Sequence, residues 1–324
     1  MKFVLIGPGN MPIPPPGWGA VELLIWDYYN LLTSIGHTVN IVNTRDRNEI
    51  IRITNSLSAD IVHLHYDVFW NVIPHLNTRI KIVTSHYPYI TDTSKWNNDS
   101  YGEIMNGFRQ ITSATNVSVC CLNKSCMDVF SSYGIPLNRM FIMRNGMIPN
   151  NIRFNEDVIH RQTICVAKLE PRKRQYLTQN IPEVVYVGKG QSGHPRFLGE
   201  WSRDKILNEL TDYSGFVLLS EEENDSLALK EALVAGLPAI VSEGVVKNVV
   251  FDNELSRFIF VIPDSQIHDE AFLRKAISEH MKQNIGNKKI IRELAIKSFS
   301  LEKIVLKYID DITSIFTQSI INVK

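Results

Sequence analysis

The sequence has no excess charge of either sign: 34 Lys and Arg are matched by 34 Asp and Glu over 324 residues. That balance removes the global field with which nucleic-acid binders gather polyanions, so no nucleic-acid partner is expected. Long apolar runs are missing too. The amino-terminal FVLI stops at Gly7, too short for a signal peptide and far short of the ~20 apolar residues of a membrane span, and no other stretch comes near that length. At most a peripheral membrane contact is expected. Cysteine is scarce: Cys120, Cys121, Cys126 and Cys165 include no CxxC pair with a partner pair, and they read as buried thiols of a reducing, cytoplasmic compartment. Short-period repeats and low-complexity tracts are missing. So is the GxGxxG fingerprint with its acidic partner, which argues against a nicotinamide-dependent dehydrogenase.

What is present is alternation. The length suits two domains of ~150 residues. Short apolar segments at 2–6, 37–42, 60–65, 80–85, 117–122 and 140–144 predict parallel strands, with helices between them, and an amphipathic helix follows the first strand up to Gly36. A polar stretch at 145–161 without periodicity predicts a linker. The pattern restarts with strands at 163–167, 184–187, 216–219, 239–241 and 258–261, a helix at 226–235, and helical sequence from 269 onward. The expected class is α/β, two Rossmann-like domains facing across a cleft: residues 1–155, residues 156–300, and a helix over 301–324 crossing back to the first domain.

Four constellations have chemical potential. Glu223 and Glu231, eight residues apart, straddle the start of the helix predicted at 226–235. A helix start offers N–H groups and partial positive charge to a diphosphate, and carboxylates beside it suit the hydroxyls of a sugar or ribose. A solvated acidic loop before an ordinary helix fits the same residues. Lys168, Arg172, Lys173 and Arg174 place four cations within seven residues at a strand's carboxyl end, either an anion site or a charged surface turn. Gly17 and Gly19 flank Trp18 ahead of the first helix, where backbone approaches a ligand closely; alone this loop says little. His63 and His65 alternate on a strand and read as packed residues, whereas His86 stands at a strand's carboxyl end, suited either to a phosphate or sugar hydroxyl or to a structural role. No metal-ligand set is seen.

Together, PPPGWGAVE, ADIVHLH, IVTSHYP, FIMRNGM, VAKLEPRKR, VYVGKG and the Glu-x7-Glu helix resemble, in order and over nearly the whole chain, the retaining glycosyltransferases of family 4, which have the GT-B fold. The resemblance implies transfer of a sugar from a nucleoside-diphosphate sugar to a hydroxyl of a glycan, lipid or small-molecule acceptor, with anomeric retention and no required metal or other cofactor. It implies that Lys168 and Lys173 neutralise the donor diphosphate, that Glu231 holds the ribose and Glu223 the transferred sugar, and that N–H groups near Ser226 and Leu227 touch phosphate. Gly17, Trp18 and Gly19 would lie against the donor, and His86 would contact the sugar and its phosphate. Asn224-Asp225-Ser226 stands where the family has a Gly/Pro-Phe-Gly run, and Ile148 where Asp commonly follows Asn-Gly. An epimerase or hydrolase of nucleotide sugars on the same fold, and an inactive nucleotide-sugar-binding module, remain as alternative readings.

Overall fold

The structure, a computed structural model, describes residues 1–113 and 117–321, with side chains to residue 314. The chain divides into two compact units. The first comprises Met1–Pro15, Gly19–Arg144 and the chain from Glu302; the second comprises Pro16–Trp18 and Asn145–Leu301.

In the first unit, β1 (Lys2–Ile6), β2 (Thr38–Val42), β3 (Ile61–Leu64), β4 (Ile80–Thr84), β5 (Val117–Cys121) and β6 (Met140–Ile142) form one parallel sheet in the order β2-β1-β3-β4-β5-β6. The inner strands are apolar on both faces because helices cover both: Phe3 to Ile6 and Ile61 to Leu64 are all buried, His63 included. The helices are α1 (Ala20–Ser34), α2 (Arg47–Ser56), α3 (Tyr101–Thr112) and α4 (Lys124–Ser132). Each start that a side chain caps is legible: Asp46 accepts from the Asn48 and Glu49 N–H groups, and Asn123 from that of Cys126.

In the second unit, β7 (His160–Val166), β8 (Val184–Val187), β9 (Tyr213–Leu218), β10 (Ala239–Ser242) and β11 (Ile259–Ile262) form a parallel sheet in the order β11-β10-β9-β7-β8. Its helices are α5 (Arg203–Glu209), α6 (Leu227–Val234), α7 (Glu243–Val246), α8 (Asn253–Ser256), α9 (Glu270–Asn284) and α10 (Lys288–Phe299), and α11 (Leu301–Ile321) follows. The crossover from β7 to β8 has no room for a helix and is made of two 3-10 turns, Pro171–Lys173 and Gln175–Thr178.

The stretch at 145–161 is not a free linker. Met147 and Ile152 enter the core of the second unit, Arg153 donates to Asp212 and to the Asn208 carbonyl, and β7 already begins at His160. The change of unit therefore falls between Arg144 and Asn145, not after residue 155. A polar composition misled because Arg153 and Asn155, though polar, are bonded to the second unit. The expected closing helix runs Leu301–Ile321, and from Glu302 it belongs with the first unit, where Val305, Tyr308 and Ile312 are buried; residues 322–324 lie outside the described residues. Among the described residues no helix is long and apolar enough to cross a membrane, and all four cysteines are free and buried.

Candidate active site

In the second sheet the chain leaves β7 toward β8 on one side and returns to β9 on the other. Loops that diverge from adjacent parallel strands open a crevice at the strands' carboxyl ends, the usual ligand position of an open α/β sheet. The loops after β7 and β9 are the two charged motifs. They are tied together by backbone, the Glu221 N–H donating to the Arg172 carbonyl at 2.8 Å.

Side chains converge on the same place. Glu223 receives the Lys173 ammonium and, at 3.3 Å, Arg172 Nη1, which also donates to the Glu222 carbonyl at 2.9 Å. Arg172 Nη2 reaches Glu170 Oε1 at 2.8 Å, and Lys168 Nζ lies 3.2 Å from Glu170 Oε2. Burial alone would raise the Glu170 carboxyl, but the charges of Arg172 and Lys168 outweigh it and hold the group below its ordinary range. Arg174 lies 3.8 Å from Glu221. The four cations thus share three carboxylates, Glu170, Glu221 and Glu223, which leaves the cluster net positive.

Of the four residues expected to meet at one diphosphate, Lys173 and Glu223 are in contact. Lys168 sits with Glu170, its side chain still 47% exposed, and Glu231 sits with Arg203 at 2.5 Å. Ser226 caps α6, its hydroxyl accepting from the Leu229 N–H, and Leu227 is the helix's first residue. The loop is seated by a buried group the sequence reading did not single out. Lys230 pairs with Asp225 and donates to the Asn145 carbonyl at 2.8 Å, while the Asn145 N–H donates to Asp225 Oδ2 at 2.7 Å. Asp225 and Lys230 are thus one ion pair. Trp18 lies within this unit with its ring 4.2 Å from Lys189 Nζ and 5.7 Å from Lys168 Nζ. A Cβ on Gly17 would come 3.0 Å from a Glu200 carboxylate oxygen.

In the first unit lie the remaining expected residues, Gly19 between β1 and α1 and His86 just after β4. Gly19 precedes α1 with φ of 132°, and a Cβ there would strike Met11 Sδ at 2.6 Å. Glu22, one turn on, is buried, which raises its carboxyl. His63 and His65 stack at 3.9 Å between ring centroids, and His86 stacks on His65 at 5.8 Å. His63 is anchored by the Thr84 and Tyr308 hydroxyls at 2.7 and 2.8 Å. Burial, with a smaller repulsion from His86, lowers His63 to about 3; burial lowers His86 to about 4, so both imidazoles are neutral. The Nε2 of His86 is buried and meets no partner among the described residues. Among those residues no cluster of His, Cys, Asp or Glu is arranged to hold a metal ion.

No protein-family model and no curated protein matches this sequence. Solved structures do match by shape. Sucrose-phosphate synthase from Thermosynechococcus elongatus superposes with a TM-score of 0.76 at 12% identity, covering 98% of this chain and 99% of that one. Anabaena HepE in complex with UDP-glucose superposes with a TM-score of 0.71 at 13% identity, covering 97% and 100%. The lipopolysaccharide outer core galactosyltransferase WaaB gives 0.60 at 11% identity over the whole of both chains. The fold is GT-B. At such identities the likeness is one of fold, and the GT-B frame supplies a place for the site without assigning its residues. Arg203, Lys189, Asn145 and the Asp225–Lys230 pair were missed as site groups. Only the altered run Asn224-Asp225-Ser226, which contains one member of the pair, offered a signal.

Proposed function

We propose that the protein is a retaining glycosyltransferase of family 4 that moves a sugar from a nucleoside diphosphate to an acceptor hydroxyl. The observation that carries the reading is the meeting of the loops after β7 and β9, where a net-positive cluster and the start of α6 share one crevice. Its fold neighbours support the same donor class: HepE is described with UDP and with UDP-glucose.

In this reading the bond from the sugar's anomeric carbon to the diphosphate breaks, and a bond from that carbon to the acceptor oxygen forms. The acceptor proton passes to the leaving phosphate, so no side chain is needed as general base. Charge grows on the departing diphosphate, and Lys168, Lys173 and the N–H groups at Ser226 and Leu227 stabilise it. Glu223 accepts from hydroxyls of the transferred sugar and, before donor binds, holds Lys173 in place. Glu231 holds the ribose, Gly17, Trp18 and Gly19 lie against the donor, and neutral His86 hydrogen-bonds the sugar and its phosphate. The lysines supply the positive charge, so a divalent metal is not required. A glycan, lipid or small molecule serves as acceptor, and the cytoplasm, where nucleotide sugars are made available, is the proposed location.

The test is a thermal-shift panel of nucleoside diphosphates and their sugars, followed by transfer assays read by anomeric NMR. Acceptor-dependent product with the donor's anomeric configuration, insensitive to chelator, is expected. Donor consumption without acceptor would mean an epimerase or hydrolase. Binding without turnover would mean an inactive module, and inverted product would remove the family assignment.

A further inference from the structure

Glu231 does not stand alone in its crevice. Arg203, the first residue of α5, donates from Nη1 to Glu231 Oε1 at 2.5 Å across 28 residues of chain, and the two side chains are 19% and 8% exposed. The contact uses one guanidinium nitrogen and one carboxylate oxygen. A bidentate pair would occupy both oxygens; this one engages Oε1 and leaves Oε2 to a ligand.

We infer that Arg203 is a positioning residue that presents Glu231 Oε2 to the ribose hydroxyls of a nucleoside diphosphate. This rests on the donor reading above. Two physical effects support it. A glutamate has three rotatable bonds, and fixing them before the ligand arrives removes that entropy from the binding step. A carboxylate one turn into a helix that faces a diphosphate would also repel it, and an adjacent guanidinium offsets that repulsion while leaving the acceptor oxygen in place. Exposed ion pairs do little, but a pair this far removed from water and joining two separate elements holds its geometry. The consequence is specific: Arg203 governs how well the site tells ribose from deoxyribose, more than how well the protein folds.

The test is calorimetric titration of the full chain with UDP, ADP and GDP and their 2′-deoxy counterparts. Wild type should prefer the ribo form of its best-bound diphosphate by about tenfold or more, as expected when a hydrogen bond to a charged group is lost. Arg203→Met should bring the two forms within about threefold, Glu231→Ala should do the same, and Arg203→Lys should restore part of the preference. Thermal melts check that each variant is folded, and Arg203→Gln reads the same ratio if the Met variant does not fold. An unchanged ribo-to-deoxy ratio in folded Arg203 variants overturns the inference while the donor reading stands. So does a wild type that binds a diphosphate without distinguishing the sugars. A wild type that binds none of the diphosphates overturns the donor reading itself.

Discussion

At the scale of single residues, the charged groups of the second unit divide by what their loss should do. Lys168 keeps nearly half its side chain in solvent and contacts only one carboxylate, so its removal leaves little buried debt. Lys168→Ala is expected to lower kcat about 10²-fold with the fold intact, the cost of removing one group that stabilises developing charge. Glu231→Ala is expected to raise the donor Kd by about tenfold with a smaller effect on kcat; steady-state kinetics separate the two. Lys230 is another case. It is 1% exposed and bound to Asp225 and to the Asn145 carbonyl, so Lys230→Met strands a buried carboxylate and should cost about 3–5 kcal/mol in urea unfolding. The double variant Asp225→Leu/Lys230→Met should recover most of that loss, since replacing a buried pair by apolar groups is often neutral. If the double variant is as unstable as the single one, the pair does not act as a unit. The places of Lys168, Lys173 and Glu223 beyond strand ends, and of Glu231 on the helix that follows, were legible in the sequence. Arg203 and Asn145 were not, since their partners lie 28 and 80 residues away and only tertiary packing joins them.

Among the elements, β3 illustrates how alternation becomes chemistry. His63 and His65 share a face because strand side chains repeat every second residue, and the packed stack that this spacing implied is present. Both are buried, and both are pushed below the ordinary histidine range, as is His86 on β4's carboxyl side. An unfolded chain takes up these protons below pH ~6.5, while the native fold keeps His86 neutral to about pH 4 and His63 to about pH 3. Stability from the trio is therefore complete above pH ~6.5 and declines as pH falls toward 3, by about 2 kcal/mol at pH 5 for each of His63 and His86. Urea melts at pH 7 and 5 should show this, and His65→Gln should flatten the dependence; equal slopes in wild type and variant would refute it. Ser226→Ala, removing the α6 cap, should cost about 1 kcal/mol. Strand limits were legible wherever apolar runs are sharply bounded, as for Val184–Val187. Helix α3 was not, because Gly102 and Gly107 interrupt its pattern. The structure explains Gly107: a Cβ there would lie 2.3 Å from the Trp70 ring.

For the whole molecule, zero net charge coexists with a cluster in which cations outnumber carboxylates. Diphosphate affinity should therefore fall as salt rises from about 0.05 to 0.5 M, screened over ~10 Å and less, although the protein as a whole has no field to screen. Titrations at several ionic strengths check this, and salt-independent binding would place the anion elsewhere. The α/β class was legible from alternation alone, but the change of unit was not, because residues 145–155 look solvated in sequence and are bonded in space.

The first unit is built from chain on both sides of the second, and that has a consequence for synthesis. The Tyr308 hydroxyl that anchors His63 emerges from the ribosome 245 residues after its partner. At ~5–20 residues per second, that is a wait on the order of 10 s or more. The central 145–301 stretch has all its own chain before Tyr308 is made and can finish, while the unit that began first stays unsealed throughout the interval. A chain truncated just before Glu302 and released from the ribosome should therefore yield a protease-resistant second unit attached to a first unit that is still open to cleavage.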